Sequence, residues 1–352
     1  MTLPRLSATV LLAALCGTAA YAEDQPGFAP PEAPMTASPF EYAKSGAKAA
    51  RADTAEAAGA KVIGGEVAAE GAWPWQVALL VGGAPVGVDS QFCGGSLVMD
   101  QWVLTAAHCV HMRQQDGSYS DLWPQEISIL VGTNALTPGK GDLVPVEAVF
   151  RHPSYSGTQF DFDIALLKLS RAPQAPYQTI EVPDATFGSM LNQQGVTTIV
   201  TGWGLQEGAM PSAELRQAQI QVLDRNLCNA AMLEARAEDA AGGFSYAVQT
   251  LNLAEADAYA LWDELIARAP MPVSENMICS GTFEGGKTSC NGDSGGPLVV
   301  PLDDGSYIQA GIVSWGLSAS SGRGCEETAL FSAYTDISRF VPWLNQVIAQ
   351  NP

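Results

Sequence analysis

The chain has 352 residues, with 17 Lys and Arg against 37 Asp and Glu, giving a net charge of −20 at pH 7. A surface of that sign repels nucleic acid and anionic lipid, so neither nucleic acid nor a membrane is expected as a partner. Gly 35 and Pro 22 suit a turn-rich all-β protein, and the length is ample for one or two buried cores.

Residues 1–22 read as a secretory signal peptide. Arg5 gives a positive start, Val10 to Leu15 are apolar, and Ala20-Tyr21-Ala22 is a small-residue cleavage site. The apolar run is shorter than the ~20 residues of a membrane span. Cys16 would leave with the signal. Residues 23–61 read as a linker or propeptide, since Pro26, Pro30, Pro31, Pro34 and Pro39 exclude a long helix in its first half. The segment ends at Lys61, ahead of Val62-Ile63-Gly64-Gly65, an arrangement that suits proteolytic processing.

Short apolar runs then follow between turn signals, as in Trp75 to Leu80 and Ile127 to Val131. Two more, Phe92 to Val98 and Trp102 to Ala107, are joined by a turn at Asp100-Gln101, and the second leads into His108. Cys93 and Cys109 stand at the two ends, where a bridge would clamp the loop carrying His108. His111 follows in a polar loop and reads as solvated. No further ligands at metal-binding spacing accompany it.

Asp163 directly precedes the apolar strand that starts at Ile164. A carboxylate buried there needs a partner, and an imidazole N–H is suitable. Asp161 is the competing acid and should be more exposed. Thr197 to Val200 and Leu215 to Leu223 read as strands around the Gly-rich turn Thr201-Gly202-Trp203-Gly204. Residues 235–270 read as a helical, acidic insertion. Asp224 would cap a first helix stopping near Gly242-Gly243, and Asn252 with Glu255 would cap a second, ended by Pro270. Its apolar stripe, which includes Leu251, Ala258, Leu261, Trp262 and Leu265, is expected to pack on the main body, the alternative being a lid or partner-binding flap beside the cleft. From Ile337, an amphipathic helix closes the chain.

Gly292-Asp293-Ser294-Gly295-Gly296-Pro297 is a tight turn presenting one serine hydroxyl. Serine needs a base within hydrogen-bond reach to act as a nucleophile. The segment also fits the G-x-S-x-G elbow of α/β-hydrolases, where the order is serine, acid, histidine. The three histidines, His108, His111 and His152, all precede Ser294, so that reading fails. Of seven cysteines, six remain after Cys16, and an exported chain would oxidise them. Six leave many pairings open; nearest-neighbour order gives Cys93–Cys109, Cys228–Cys279 and Cys290–Cys325.

Taken together, Val62-Ile63-Gly64-Gly65, Thr105 to Cys109, Asp163-Ile164-Ala165-Leu166 and Gly292 to Pro297 resemble the trypsin/chymotrypsin family of serine endopeptidases. The resemblance covers about residues 62–350, less the insertion. It implies two six-stranded antiparallel β-barrels packed around a central cleft, with a C-terminal helix, in a protease domain of residues 62–352. It implies His108, Asp163 and Ser294 as the catalytic triad and the N–H groups of Gly292 and Ser294 as the oxyanion hole. Ser314 matches a position that supports the buried aspartate. Cleavage after Lys61 would free Val62 to pair with Asp293, so the protein would be a secreted or periplasmic zymogen. Its partners would be protein or peptide substrates, an activating protease and protein inhibitors, with no cofactor and no metal.

Some positions depart from the trypsin pattern. Thr288 stands six residues before the serine, where trypsins carry an aspartate, so cleavage after Arg or Lys is not expected; the alternative is that Glu326 and Glu327, after Cys325, restore negative potential for a basic side chain. The resemblance implies that Trp315, Gly316 and Ser332 complete the substrate pocket, which Ser332 would narrow and make polar. In the stretch matching the calcium loop, Gly132 to Glu147, Thr133 and Gly141 fall near the usual glutamates, leaving Asp142 and Glu147 as the acids there. Two other readings are a silent homologue that only binds and a secreted esterase. The retained triad and activation site argue against the first, and the histidine order against the second.

Overall fold

The computed structural model describes residues 65–113, 118–155, 157, 160–205, 211–282, 289, 292–316 and 331–352. Lys61, Val62, Thr288, Cys290 and Cys325 lie outside the described residues.

In chain order the strands are β1 (Glu66–Val67), β2 (Gln76–Val81), β3 (Gln91–Met99), β4 (Trp102–Thr105), β5 (His111–Arg113), β6 (Tyr119–Asp121), β7 (Ile127–Val131), β8 (Asp142–Arg151) and β9 (Ala165–Leu169). They continue with β10 (Thr197–Gly202), β11 (Arg216–Val222), β12 (Met277–Gly281), β13 (Pro297–Pro301), β14 (Tyr307–Gly316) and β15 (Phe331–Asp336). Two closed six-stranded antiparallel barrels result. The first runs β2-β3-β4-β9-β8-β7. The second runs β11-β10-β13-β14-β15-β12, closed by pairing of β12 with β11, and β1 adds to β11.

The pattern of β11 shows why these residues form such a sheet. Ala218, Ile220 and Val222 are buried while Gln219 and Gln221 between them face water, the period-2 alternation of a half-buried strand. Val77, Leu79, Leu97, Leu104 and Ile129 fill the first barrel. Val200, Ile220, Ile278, Leu298 and Tyr334 fill the second. Trp73, Trp75 and Trp203 join residues of both in a third cluster, and Ile312, Phe340 and Leu344 belong to the first barrel's core. The described residues of 65–228 and 273–352 thereby form one compact unit.

Two of the bulges in these ladders set residues out of the strand alternation. Between β2 and β3, Leu79 pairs with Cys93 and Leu80 with Gln91, leaving Phe92 as the extra residue. Between β14 and β15, Val313 pairs with Tyr334 and Trp315 with Ala333, leaving Ser314 extra. A bulge re-aims the side chains beside it.

Helix α1 (Ala185–Leu191) is capped by Asp184, whose carboxylate accepts from Phe187 N–H at 2.8 Å. Residues 229–272 form a second compact unit built from α2 (Arg225–Thr250), which starts in the body, and α3 (Glu255–Ala267). Two expectations are corrected here. Helix α2 does not stop at Gly242-Gly243 but runs through both to Thr250. Neither glycine takes the positive φ of a helix stop. That role falls to Asn252, with φ 53. Leu253 N–H bonds Val248 O at 3.1 Å across it, a left-handed helix termination. Asn252 therefore ends α2 and does not cap α3, whose N-cap is Ala254 without a side-chain bond. Ala258 is buried, whereas Leu251, Leu261 and Leu265 of the expected packing stripe are exposed.

The chain closes with a 3₁₀ turn over Ile337–Arg339, capped by Asp336, and α4 (Val341–Gln350). The expected closing helix thus begins one turn later than its apolar spacing suggested.

Candidate active site

His108 sits in a 3₁₀ turn, Ala107–Cys109, directly after β4 and Ala106. Ala106 and Ala107 are fully buried, so the small side chains let this turn lie against the barrel. The Cys93–Cys109 disulfide ties it to β3. Cys228–Cys279 is likewise formed, pinning the start of α2 to β12. The third expected pair, Cys290–Cys325, falls outside the described residues.

Asp163 is fully buried, and both of its oxygens are used. His108 N–H donates to Oδ1 at 2.8 Å, and His108 Nδ1 lies 2.7 Å from Oδ2. The Ser314 hydroxyl donates to Oδ2 at 2.5 Å from the β14 bulge. Thr335 Oγ1 donates to the main-chain O of Asp163 at 2.7 Å. An isolated buried carboxylate would cost several kcal/mol, and these donors offset that cost. An Nδ1–H donated to Oδ2 leaves His108 Nε2, 3.8 Å from Cys109 Sγ, as the acceptor nitrogen of the ring. Asp161, half-buried, bonds elsewhere, to Ser274 and Asn276.

Ser294 is half-buried in the turn before β13. Gly94 N–H donates to Ser294 O at 2.7 Å, and Gly295 N–H to Val313 O at 2.8 Å, so both barrels hold the turn. Gly295 has φ 79, and a Cβ there would overlap Thr105 Oγ1 and stand 2.6 Å from Gly94 O and 3.1 Å from Cys109 Sγ. Only glycine lets the serine turn come this close to the disulfide beside His108. The Gln91 side-chain amide, fully buried next to the β3 bulge, donates to Gly292 O at 2.8 Å and Cys93 O at 3.0 Å.

A family model described as Trypsin matches residues 62–344. The chain belongs to the trypsin family. It is 30% identical to Transmembrane protease serine 7 of Mus musculus over 292 residues, 82% of this chain and 28% of that protein. It is 31% identical to the Homo sapiens protein of that name, with the same coverage. It is also 30% identical to Suppressor of tumorigenicity 14 protein homolog of Bos taurus, over 82% of this chain and 28% of that one. The chain therefore spans under a third of the length of these relatives. Among the described residues, no helix is long and apolar enough to cross a membrane.

In this trypsin-family body, the Asp293 carboxylate is buried against the turn Gly202-Trp203-Gly204 and accepts Gly204 N–H at 2.8 Å. A Cβ on Gly204 would stand 2.5 Å from Asp293 Cγ, and one on Gly202 would overlap Oδ1. At the residues expected to line the substrate pocket, Ser289 Oγ donates to Ser332 Oγ at 2.9 Å, and a Cβ on Gly316 would stand 3.0 Å from Ser332 Oγ. Ser332 and Gly316 are thus brought together, with Trp315 and Ser314 on the same strand. Burial pushes the Tyr334 phenol beside them above its ordinary range.

His111 is corrected from the solvated reading. It lies on β5, half-buried, with Nδ1 2.5 Å from Asp121 and its ring stacked on Tyr119 at 5.4 Å. In the loop matching the calcium site, both oxygens of Asp142 accept from Arg171 at 2.7 Å, and Oδ2 also accepts Gln174 N–H. The guanidinium holds this carboxyl below its ordinary value. Among the described residues, the metal-ligating types cluster only at Cys93, His108 and Cys109, where both sulfurs are spent in the disulfide.

Sequence reasoning missed Gln91, Thr335 and the Gly202–Gly204 seat of Asp293. Paired glycines around Trp203 were the one available signal, because glycine at such density marks a close backbone approach.

Proposed function

We propose that the chain is a secreted or periplasmic serine endopeptidase made as a zymogen, with residues 1–22 a signal peptide and 23–61 a propeptide. The observation that carries this reading is the fully buried Asp163, bonded to His108 Nδ1 at 2.7 Å and to Ser314 at 2.5 Å. A carboxylate so placed orients the imidazole and stabilises the imidazolium formed during acyl transfer.

The division of labour is that of the family. Ser294 Oγ attacks the peptide carbonyl while His108 Nε2 takes its proton. The tetrahedral oxyanion is held by the N–H groups of Gly292 and Ser294. His108 returns the proton to the leaving amine, and water then hydrolyses the acyl-enzyme by the same steps. Cleavage after Lys61 by another protease frees Val62, whose ammonium pairs with Asp293 and sets the serine turn. The substrates are proteins or peptides with medium apolar or polar side chains before the cut bond. Thr288 supplies no charge for Arg or Lys, and Ser332 makes the pocket base polar.

The test is digestion of a peptide library by protein cut at Lys61, with Ser294→Ala and uncut Lys61→Gln as controls. Cleavage present in the first and lost by roughly 10³-fold or more in both controls is expected. Cleavage surviving Ser294→Ala would overturn the mechanism, full activity of Lys61→Gln the zymogen, and cuts after Arg or Lys the pocket assignment.

A further inference from the structure

The residues before Asp163 break the rules of local structure. Phe160 has φ 54 and Phe162 has φ 56, the left-handed region that a bulky side chain avoids unless its surroundings impose it. Asp161 lies between them. Its Oδ1 accepts three hydrogen bonds: from Phe162 N–H at 2.9 Å, Ser274 Oγ at 3.0 Å and Asn276 Nδ2 at 3.0 Å. The donors Ser274 and Asn276 are themselves fixed. Asn276 N–H donates to Ser274 Oγ at 3.2 Å, and Asp336 N–H donates to Asn276 O at 2.8 Å, which ties the pair to the end of β15.

The twisted segment delivers consecutive side chains in different directions. The Phe160 ring meets the His108 ring edge-on at 5.8 Å. The Phe162 ring stacks on His152 at 5.2 Å and meets Phe340 at 5.9 Å. Asp163 then points back to His108 Nδ1. Extended backbone at Phe162 would turn Asp163 away from that nitrogen.

We propose that Asp161 is a positioning residue for the reaction: its carboxylate, anchored by Ser274 and Asn276, locks Phe160 and Phe162 in the left-handed conformation that presents Asp163 and the Phe160 ring to His108. The inference rests on the triad reading of His108, Asp163 and Ser294. An anionic oxygen suits the task, because it accepts three donors at once and charge-assisted bonds are stronger than neutral ones. Ser274 and Asn276 directly follow the helical unit of residues 229–272, so the chain leaving that unit anchors the loop of the catalytic acid.

The test uses full-length protein cut at Lys61, as wild type, Asp161→Ala, Asp161→Asn and Ser274→Ala. Asp161→Ala should lower kcat roughly 10–100-fold with KM within about threefold, since oriented groups and not substrate contacts are lost. Asp161→Asn should recover part of the loss, and Ser274→Ala should show a smaller loss of the same kind. The second readout is the proton NMR signal of His108 Nδ1–H, recorded without substrate. It should be sharp in wild type and broadened or shifted upfield in Asp161→Ala. An unchanged signal together with kcat within about twofold of wild type overturns the latch. A wild type that cleaves no peptide but shows the NMR change overturns the peptidase reading and leaves the latch standing. If Asp161→Ala does not fold, Asp161→Asn and Ser274→Ala carry both readouts.

Discussion

Replacing Gln91 by methionine isolates one contribution to the serine turn. Gln91 is fully buried and donates from one nitrogen to Gly292 O at 2.8 Å and to Cys93 O at 3.0 Å. Gly292 O belongs to the peptide lying between the two that carry the proposed oxyanion donors. Methionine keeps length and shape but donates nothing. Two buried carbonyls then lose a donor at about 1–3 kcal/mol each, so a stability loss of about 2–6 kcal/mol is expected in urea unfolding. Deleting an oxyanion donor outright costs about 10²–10³ in kcat. Here the donors stay and only their tether goes, so kcat should fall by a smaller factor, roughly 10–100, with KM within about threefold. The measurement is steady-state peptide hydrolysis normalised by active-site titration. A destabilised variant whose kcat stays within about twofold of wild type would refute the reasoning and leave Gln91 a purely structural residue.

Gly204→Ala puts a Cβ 2.5 Å from Asp293 Cγ; a folded protein, judged by circular dichroism, with activity down by about 100-fold or more is expected. Arg171→Met tests the cation beside Asp142. Asp142 is held below the ordinary value of 3.8 by Arg171, so its pairing stabilises fully above that pH and is lost as the pH falls through the lower folded value. The stability gap between wild type and variant, read by denaturant unfolding, should be widest near neutrality and close in acid. His152 is pushed below 6.5, first by burial and then by Arg151. The unfolded chain therefore takes up the proton first, and this stabilisation, present above about pH 6.5, fades as the pH falls. His152→Phe, set among Phe162, Phe340 and Trp343, should flatten that part of the pH–stability curve; an unchanged slope would assign it to another group.

Much of the barrel body was legible because its signals are local. β11 declares itself through Gln219 and Gln221 alternating with buried Ala218, Ile220 and Val222. Asp163 is marked by standing directly ahead of an apolar strand, and the serine turn by glycines that a close approach requires. The helical unit was harder, since glycine is a helix stop only where the chain turns left-handed. Gly242 and Gly243 do not turn, and Asn252, read as the start of a helix, is the residue that turns to end one.

What the sequence hid are contacts made only after folding. The resemblance pointed to Ser314 beside Asp163, but not to the means: a bulge in β14 makes it the extra residue, and no spacing in the chain announces a bulge. Gln91 meets Gly292 across 201 positions. Phe160 and Phe162 are the extreme case. Propensity places two aromatic residues in extended backbone, yet both are left-handed. Three donors on Asp161, two of them brought from beyond residue 272, override that preference. Such reversals persist only where surrounding structure over-determines the backbone, and here they fall directly before the acid that holds His108. The failure of the local rule thus locates the same loop that the motif located, by an independent route.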